Sequence, residues 1–199
     1  MTQLIEALSY PFVQRAIAAG VMISLCAALL GVILVLKRYS LIGHGLGDVG
    51  FASTSLAVAL GLPVMAVSIP IVVVAACLIM FWSQRSKTGG DTAIGMVATG
   101  ALSIGVIITA MSSGFNVDVN GYMFGSILAM SRDDVVFSVV LSIVILVLFI
   151  LFYNRLFLIT FDENFAKASG INVGFYQFLI ALLTALTVVM GMRMMGSLL

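Results

Sequence analysis

Long uncharged apolar runs limit this chain more than anything else in it. They occupy residues 16–36, 64–82, 92–112 and 135–153, and each approaches or exceeds the roughly 20 residues needed to cross the hydrocarbon of a bilayer. Inside lipid every backbone N–H and C=O must be satisfied within the segment or in a closed barrel, and runs with so little strict alternation point to helices. Charged residues make up 9% of the chain, far below the roughly 25% of a soluble domain. The reading is an all-α, polytopic helical membrane protein forming a single transmembrane domain over residues 1–199.

Two further spans bring the expected number to about six. One covers 42–60, where Gly43, His44, Gly45, Gly47, Asp48 and Gly50 lower the apolar content of the first turns. The other runs from near Tyr176 to Leu199 and reads as a helix at whose end the chain is cut. The N-terminus is not read as a signal peptide, because its first charge is Glu6 and the first apolar run is too long for an h-region.

Orientation follows from lysine and arginine in the short loops. Lys37, Arg38, Arg85, Lys87, Arg155 and Lys167 share one side if residues 115–130 do not cross, and that side is then cytoplasmic. Arg15 and Arg132 fall outside and Arg193 lies in the last helix. The same assignment makes 115–130 a surface or re-entrant helix, in keeping with its Asn116, Asp118 and Asn120.

The run from Arg38 to Gly50 holds the only histidine, His44, with Asp48 four residues later. On a helix the two share a face, and ionisable groups inside a span usually line a polar path or hold an ion. Imidazole nitrogen with carboxylate oxygen suits zinc, manganese or ferrous iron. Two ligands leave positions for water, a symmetry-related copy or a weakly held passing ion. The alternative is that His44 and Asp48 only pair with each other or lie at the water interface.

A second informative stretch, 161–173, reads as a short helix between two spans on the inner side. Asp162 caps its start, Glu163 is acidic in its first turn and Gly170 stops it. Phe161, Phe165 and Ala168 follow helical spacing, giving an apolar face suited to a groove on a partner or to lipid.

Other features carry no chemistry. Cys26 and Cys77 lie in apolar runs with no second ligand nearby, and the cluster of Met190, Met192, Met194 and Met195 reads as adaptable packing. Gly100, Gly105, Gly191 and Gly196 permit close helix contact. No phosphate-binding loop ending in Lys-Ser or Lys-Thr is present, so any ATP is handled by another chain. A formal net charge of +1 gives no basic face for nucleic acid. One histidine and no His-Glu-x-x-His helix exclude an intramembrane metalloprotease of that type.

Four segments together resemble the metal-uptake ABC permease family, which contains zinc and manganese importer membrane subunits. They are 36–43 (LKRYSLIG), 91–95 (DTAIG), 121–129 (GYMFGSILA) and 161–173. The resemblance implies a type II importer-like fold, a homodimer around a central pathway, two cytoplasmic ATPase subunits and an extracytoplasmic metal-binding protein. It places ATPase coupling on 161–173, through Asp162, Glu163, Phe165, Ala168 and Gly170, and compares Arg15 with basic residues that meet the delivery protein. It implies no tightly bound cofactor, only a transported ion, zinc foremost with manganese or iron as alternatives, and no enzymatic activity in this chain. Two departures are visible. The family's pathway motif usually places Asp before His, whereas here His44 precedes Asp48, and relatives usually continue with further helices, so the chain reads as truncated. A secondary carrier or channel, or a membrane scaffold, are the competing classes.

Overall fold

The computed structural model describes residues 10–85, 90–111 and 132–196, and among them every regular element is a helix. In chain order these are α1 (Pro11–Leu36), α2 (Ile42–Ala59), α3 (Val64–Arg85), α4 (Gly90–Met111), α5 (Arg132–Phe161), α6 (Glu163–Ala168) and α7 (Val173–Met195). Five are long and apolar enough to cross a membrane: α1, α3, α4, α5 and α7. The sixth expected span, α2, is a helix of 18 residues but falls outside that group. Its surroundings explain why, since twelve of those residues are buried in protein and need not be apolar to meet lipid.

Several element boundaries differ from the sequence expectation, α1 starting at Pro11 instead of 16, and three of the differences have a clear local reason. Helix α5 continues past 153 to Phe161, because Phe157, Leu158 and Ile159 sustain the apolar helix beyond Asn154 and Arg155. Helix α7 starts at Val173, where the Asn172 side chain accepts the Phe175 N–H at 3.3 Å and caps it. The one helix expected over 161–173 is divided: Phe161 ends α5, α6 holds only Glu163–Ala168, and Val173 opens α7. Extended backbone at Asp162 and a left-handed Gly170 (φ 77°) set those breaks. The expectations for 115–130 and for Lys87 fall on residues outside those described.

Side-chain contacts fix the directions of the helices. The Cys26 thiol donates to the Ser142 carbonyl at 3.5 Å, and Ala19 clusters with Val135, so α1 and α5 run parallel. Gly45 packs on Ile94 and the hydroxyls of Ser55 and Thr109 are 3.0 Å apart, so α2 and α4 also run parallel. The helix ends sort to two poles as a result. Lys37, Arg38, Arg85, Arg155 and Lys167 belong to one, which the positive-inside rule assigns to the cytoplasm. Arg15, Arg132 and Arg193 belong to the other. Helix α4 ends at the pole where α5 begins.

Helix α7 is the hub of the bundle, touching α1, α2, α3, α5 and α6. Buried Ile180, Leu183 and Ala185 join Cys26, Leu46 and Ile79 in one continuous core. Lipid tails are as apolar as these side chains, so association rests on close packing and polar contacts more than on exclusion of water.

Candidate functional site

The site begins at the corner between α1 and α2. Helix α1 ends in a Schellman arrangement: the Arg38 N–H bonds to the Val35 carbonyl at 3.0 Å and the Tyr39 N–H to the Leu34 carbonyl at 2.9 Å. Arg38 therefore takes a left-handed conformation (φ 61°), the only non-glycine to do so among the described residues. Chirality charges about 1–2 kcal/mol for that geometry, and buried Tyr39 beside it helps to hold the turn. Helix α4 clasps the same corner. A Cβ on Gly90 would lie 2.8 Å from the Arg38 carbonyl oxygen and from the Tyr39 ring, so only glycine admits this approach. One residue on, Asp91 Oδ1 accepts the Leu41 N–H at 3.1 Å.

Helix α2 then opens with Gly43, Gly45, Gly47 and Gly50 inside its first nine residues. Each glycine costs a helix about 1 kcal/mol relative to alanine, and the N-cap residue Leu41 offers no side-chain cap of its own. This turn is helical because neighbours hold it. At Gly45 an added Cβ would collide with Ile94, so α2 and α4 are in backbone-close contact at the level of His44.

On this turn the His44 Nε2 lies 3.8 Å from Asp48 Oδ2. The His44 side chain is 69% exposed and that of Asp48 only 5%. A separation of 3.8 Å is too long for a hydrogen bond, and Asp48 has no hydrogen bond to any other described residue. A buried carboxylate without a hydrogen bond is costly, so Asp48 with only a loosely placed imidazole beside it among the described residues is an incomplete arrangement. No group of three or more His, Cys, Asp or Glu side chains gathers among the described residues. The geometry offers two candidate donors one turn apart, a buried carboxylate oxygen and an open-sided imidazole nitrogen. A groove of about 210 Å³ between α1, α2 and α7 passes Tyr39, Ser40, Gly43, Thr184 and Thr187 but includes neither His44 nor Asp48.

The second candidate region lies at the same pole. Asp162 caps α6, its Oδ1 accepting the Phe165 N–H at 2.9 Å. At the other end the Ile171 N–H reaches the Ala166 carbonyl and the Gly170 N–H that of Lys167, both at 3.1 Å, completing a Schellman stop around left-handed Gly170. Buried Ala166 anchors the inner face. Phe165 and Ala168 face outward. Glu163 points back into the chain, accepting from Lys167 Nζ at 2.7 Å and from Gln177 Nε2 at 3.2 Å. Burial lowers the Lys37 ammonium from its ordinary lysine value, the charge of Glu163 opposing this and that of Lys167 adding to it. Of the five residues expected to serve coupling, two are thus free on the surface, while Asp162, Glu163 and Gly170 shape and tether the helix. Arg15 is half-buried in the second turn of α1, at the pole opposite α6.

Sequence reasoning missed two features. The Arg155 guanidinium donates to the Tyr176 hydroxyl at 2.6 Å and lies 5.9 Å from that ring's centre, tying α5 to α7 above α6. Asp91 stood within a segment read only for family likeness. Its acidic character at a helix start was visible, but its bond to a turn 50 residues away was not.

The chain matches the ABC 3 transport family over residues 9–199. It belongs to that family. With five helices able to cross a bilayer, this ABC 3 family member is a multi-pass protein of the cell membrane. It is 29% identical over 191 residues to the manganese transport system membrane protein MntC of Halalkalibacterium halodurans, spanning 96% of this chain and 65% of that one. It is 30% identical over 189 residues to the high-affinity zinc uptake system membrane protein ZnuB of Haemophilus influenzae, spanning 92% and 70%. Its fold matches PsaBC from Streptococcus pneumoniae, solved in complex with a Fab, with a TM-score of 0.81 and 30% identity over 99% of this chain and 71% of that one. The chain thus spans about two thirds of the length of the manganese relative.

Proposed function

We propose that this chain is a membrane-spanning subunit of an ATP-driven importer of divalent transition metal ions, manganese or zinc foremost and ferrous iron by ligand chemistry, and that the ion passes His44 and Asp48. The observation that carries the reading is the Asp48 carboxylate, buried in the bundle without a hydrogen bond among the described residues and 3.8 Å from the His44 imidazole. A neutral imidazole and a carboxylate suit such ions, and two protein donors hold them weakly enough to let go. The exposed side of His44 leaves room for water or for the same pair of a second copy across a homodimer interface. The exchanged order, His before Asp, keeps both donors on one helix face one turn apart.

Energy enters from outside this chain. Separate cytoplasmic ATPase subunits dock on α6, where Phe165 and Ala168 present the apolar contact, and the Arg155–Tyr176 tie passes movement of α6 to α7. An extracytoplasmic metal-binding protein delivers the ion at the opposite pole, near Arg15. The chain itself catalyses no bond chemistry. The names of the relatives, one a manganese and one a zinc system, support this reading and leave both ions in play.

Uptake of radiolabelled manganese and zinc by cells carrying the complete system tests it. His44→Ala with Asp48→Ala abolishes accumulation while the subunits still assemble, and Phe165→Asp leaves metal binding intact but uncouples ATP hydrolysis from uptake. Undiminished accumulation in the double variant would remove His44 and Asp48 from the path, and normal transport with Phe165→Asp would remove α6 from coupling.

A further inference from the structure

We propose that Asp91, on α4, is a positioning residue for the metal path: through the Leu41 N–H it holds the first turn of α2 in the form that sets His44 against Asp48. The inference rests on the metal-path reading above. Three observations carry it. The first turn of α2 is rich in glycine and lacks a side-chain cap of its own, so its helical form must be imposed from elsewhere. The one side chain of another helix that bonds the backbone at this helix start is Asp91, at 3.1 Å, among the described residues. Asp91 itself is fixed, because it sits in the first turn of α4, and α4 clasps the preceding corner through Gly90 and packs against α2 through Gly45.

The consequence is directional. Leu41 is the N-cap and His44 lies within the same first turn, whereas Asp48 lies a turn deeper, buried by the surrounding helices. Loss of the Asp91 bond frays the turn that carries the imidazole and leaves the carboxylate in place. The two donors then separate. A carboxylate also favours the positive end of the α2 dipole, as it does that of its own helix. An asparagine at 91 keeps an acceptor oxygen for Leu41 and loses only the charge, so it separates the hydrogen bond from the electrostatic effect.

The experiment compares Asp91→Ala and Asp91→Asn in the full chain assembled with its partners, with His44→Ala/Asp48→Ala as reference. Backbone hydrogen exchange is read over residues 41–47, 50–59 and 90–111, and uptake is read as half-saturating metal concentration and maximal rate. Losing one cap bond predicts roughly fivefold to tenfold faster exchange over 41–47 in Asp91→Ala, with the other two segments unchanged. The half-saturating concentration rises by a similar factor, maximal rate holds, and Asp91→Asn restores most of both. Unchanged exchange over 41–47, or loosening spread equally over all three segments, would overturn the proposal. So would normal uptake in Asp91→Ala when the reference variant is inactive. If exchange changes as expected while the reference variant transports normally, the positioning of the turn is upheld and the metal-path reading falls.

Discussion

Helices α2 and α5 show two opposite ways of living in a membrane. Across its apolar span α5 has a mean hydropathy of 3.4 with 28% of its residues buried by protein. Its face of Val136, Val140, Ile143, Val147 and Ile150 is exposed at three- and four-residue spacing, the pattern of a side suited to lipid. Helix α2 has four glycines in nine residues, buried Ser53, Thr54 and Ser55, and a histidine with an aspartate, yet twelve of its 18 residues are buried. Between these two helices hydropathy tracks burial by protein, but it does not do so along the whole chain, since α4 and α7 share a mean hydropathy of 2.0 with 17% and 61% of their apolar stretches buried. Helix α2, which departs most from the membrane pattern, is largely enclosed by other helices, and it carries the candidate donors.

Exchanging features between the two helices tests that contrast. The largest effect is expected from Ile150→Asp, which places on the lipid face of α5 the kind of group that α2 carries at Asp48. It should cost about 2.5–3.5 kcal/mol of membrane insertion, read as the fraction of α5 inserted in a translocation assay. Full insertion would mean that the exposed face of α5 meets protein or water instead of lipid. A smaller effect follows from Gly45→Leu, which drives side-chain atoms into Ile94 where α2 meets α4. About 1–3 kcal/mol of stability should be lost by overpacking, seen as a lowered midpoint of thermal unfolding in detergent. Val147→Leu on α5 should shift the same midpoint hardly at all, and equal shifts in the two variants would erase the distinction drawn between the helices.

Much of this was legible in the residues before any coordinates. Lipid leaves so few backbone solutions that the apolar run over 135–153 must be a helix, although its continuation past Asn154 and Arg155 to Phe161 was not read, and the same constraint marks α1, α3, α4 and α7. Asp162 and Gly170 announced the two ends of α6 through their own side-chain and backbone chemistry, and both ends fall where the capping geometry requires. What could not be read was anything that depends on distant pairing. Glu163 looks like a surface acid in the sequence, but in the fold it is tied to Gln177 on another helix. His44 and Asp48 were visible as a pair one turn apart. Their unequal exposure was not, because it depends on what α3, α4 and α7 cover.

The central claim is that a divalent metal meets both donors, and the chain's single histidine makes this directly measurable. Pulsed electron paramagnetic resonance of Mn²⁺ added to the membrane complex, without the delivery protein, reads nitrogen coupling from any imidazole bound to the metal. The account predicts a histidine nitrogen signal that His44→Ala removes and Asp48→Asn weakens through lower occupancy. A signal of the same strength in all three proteins, or none in the parent at saturating manganese, would contradict it.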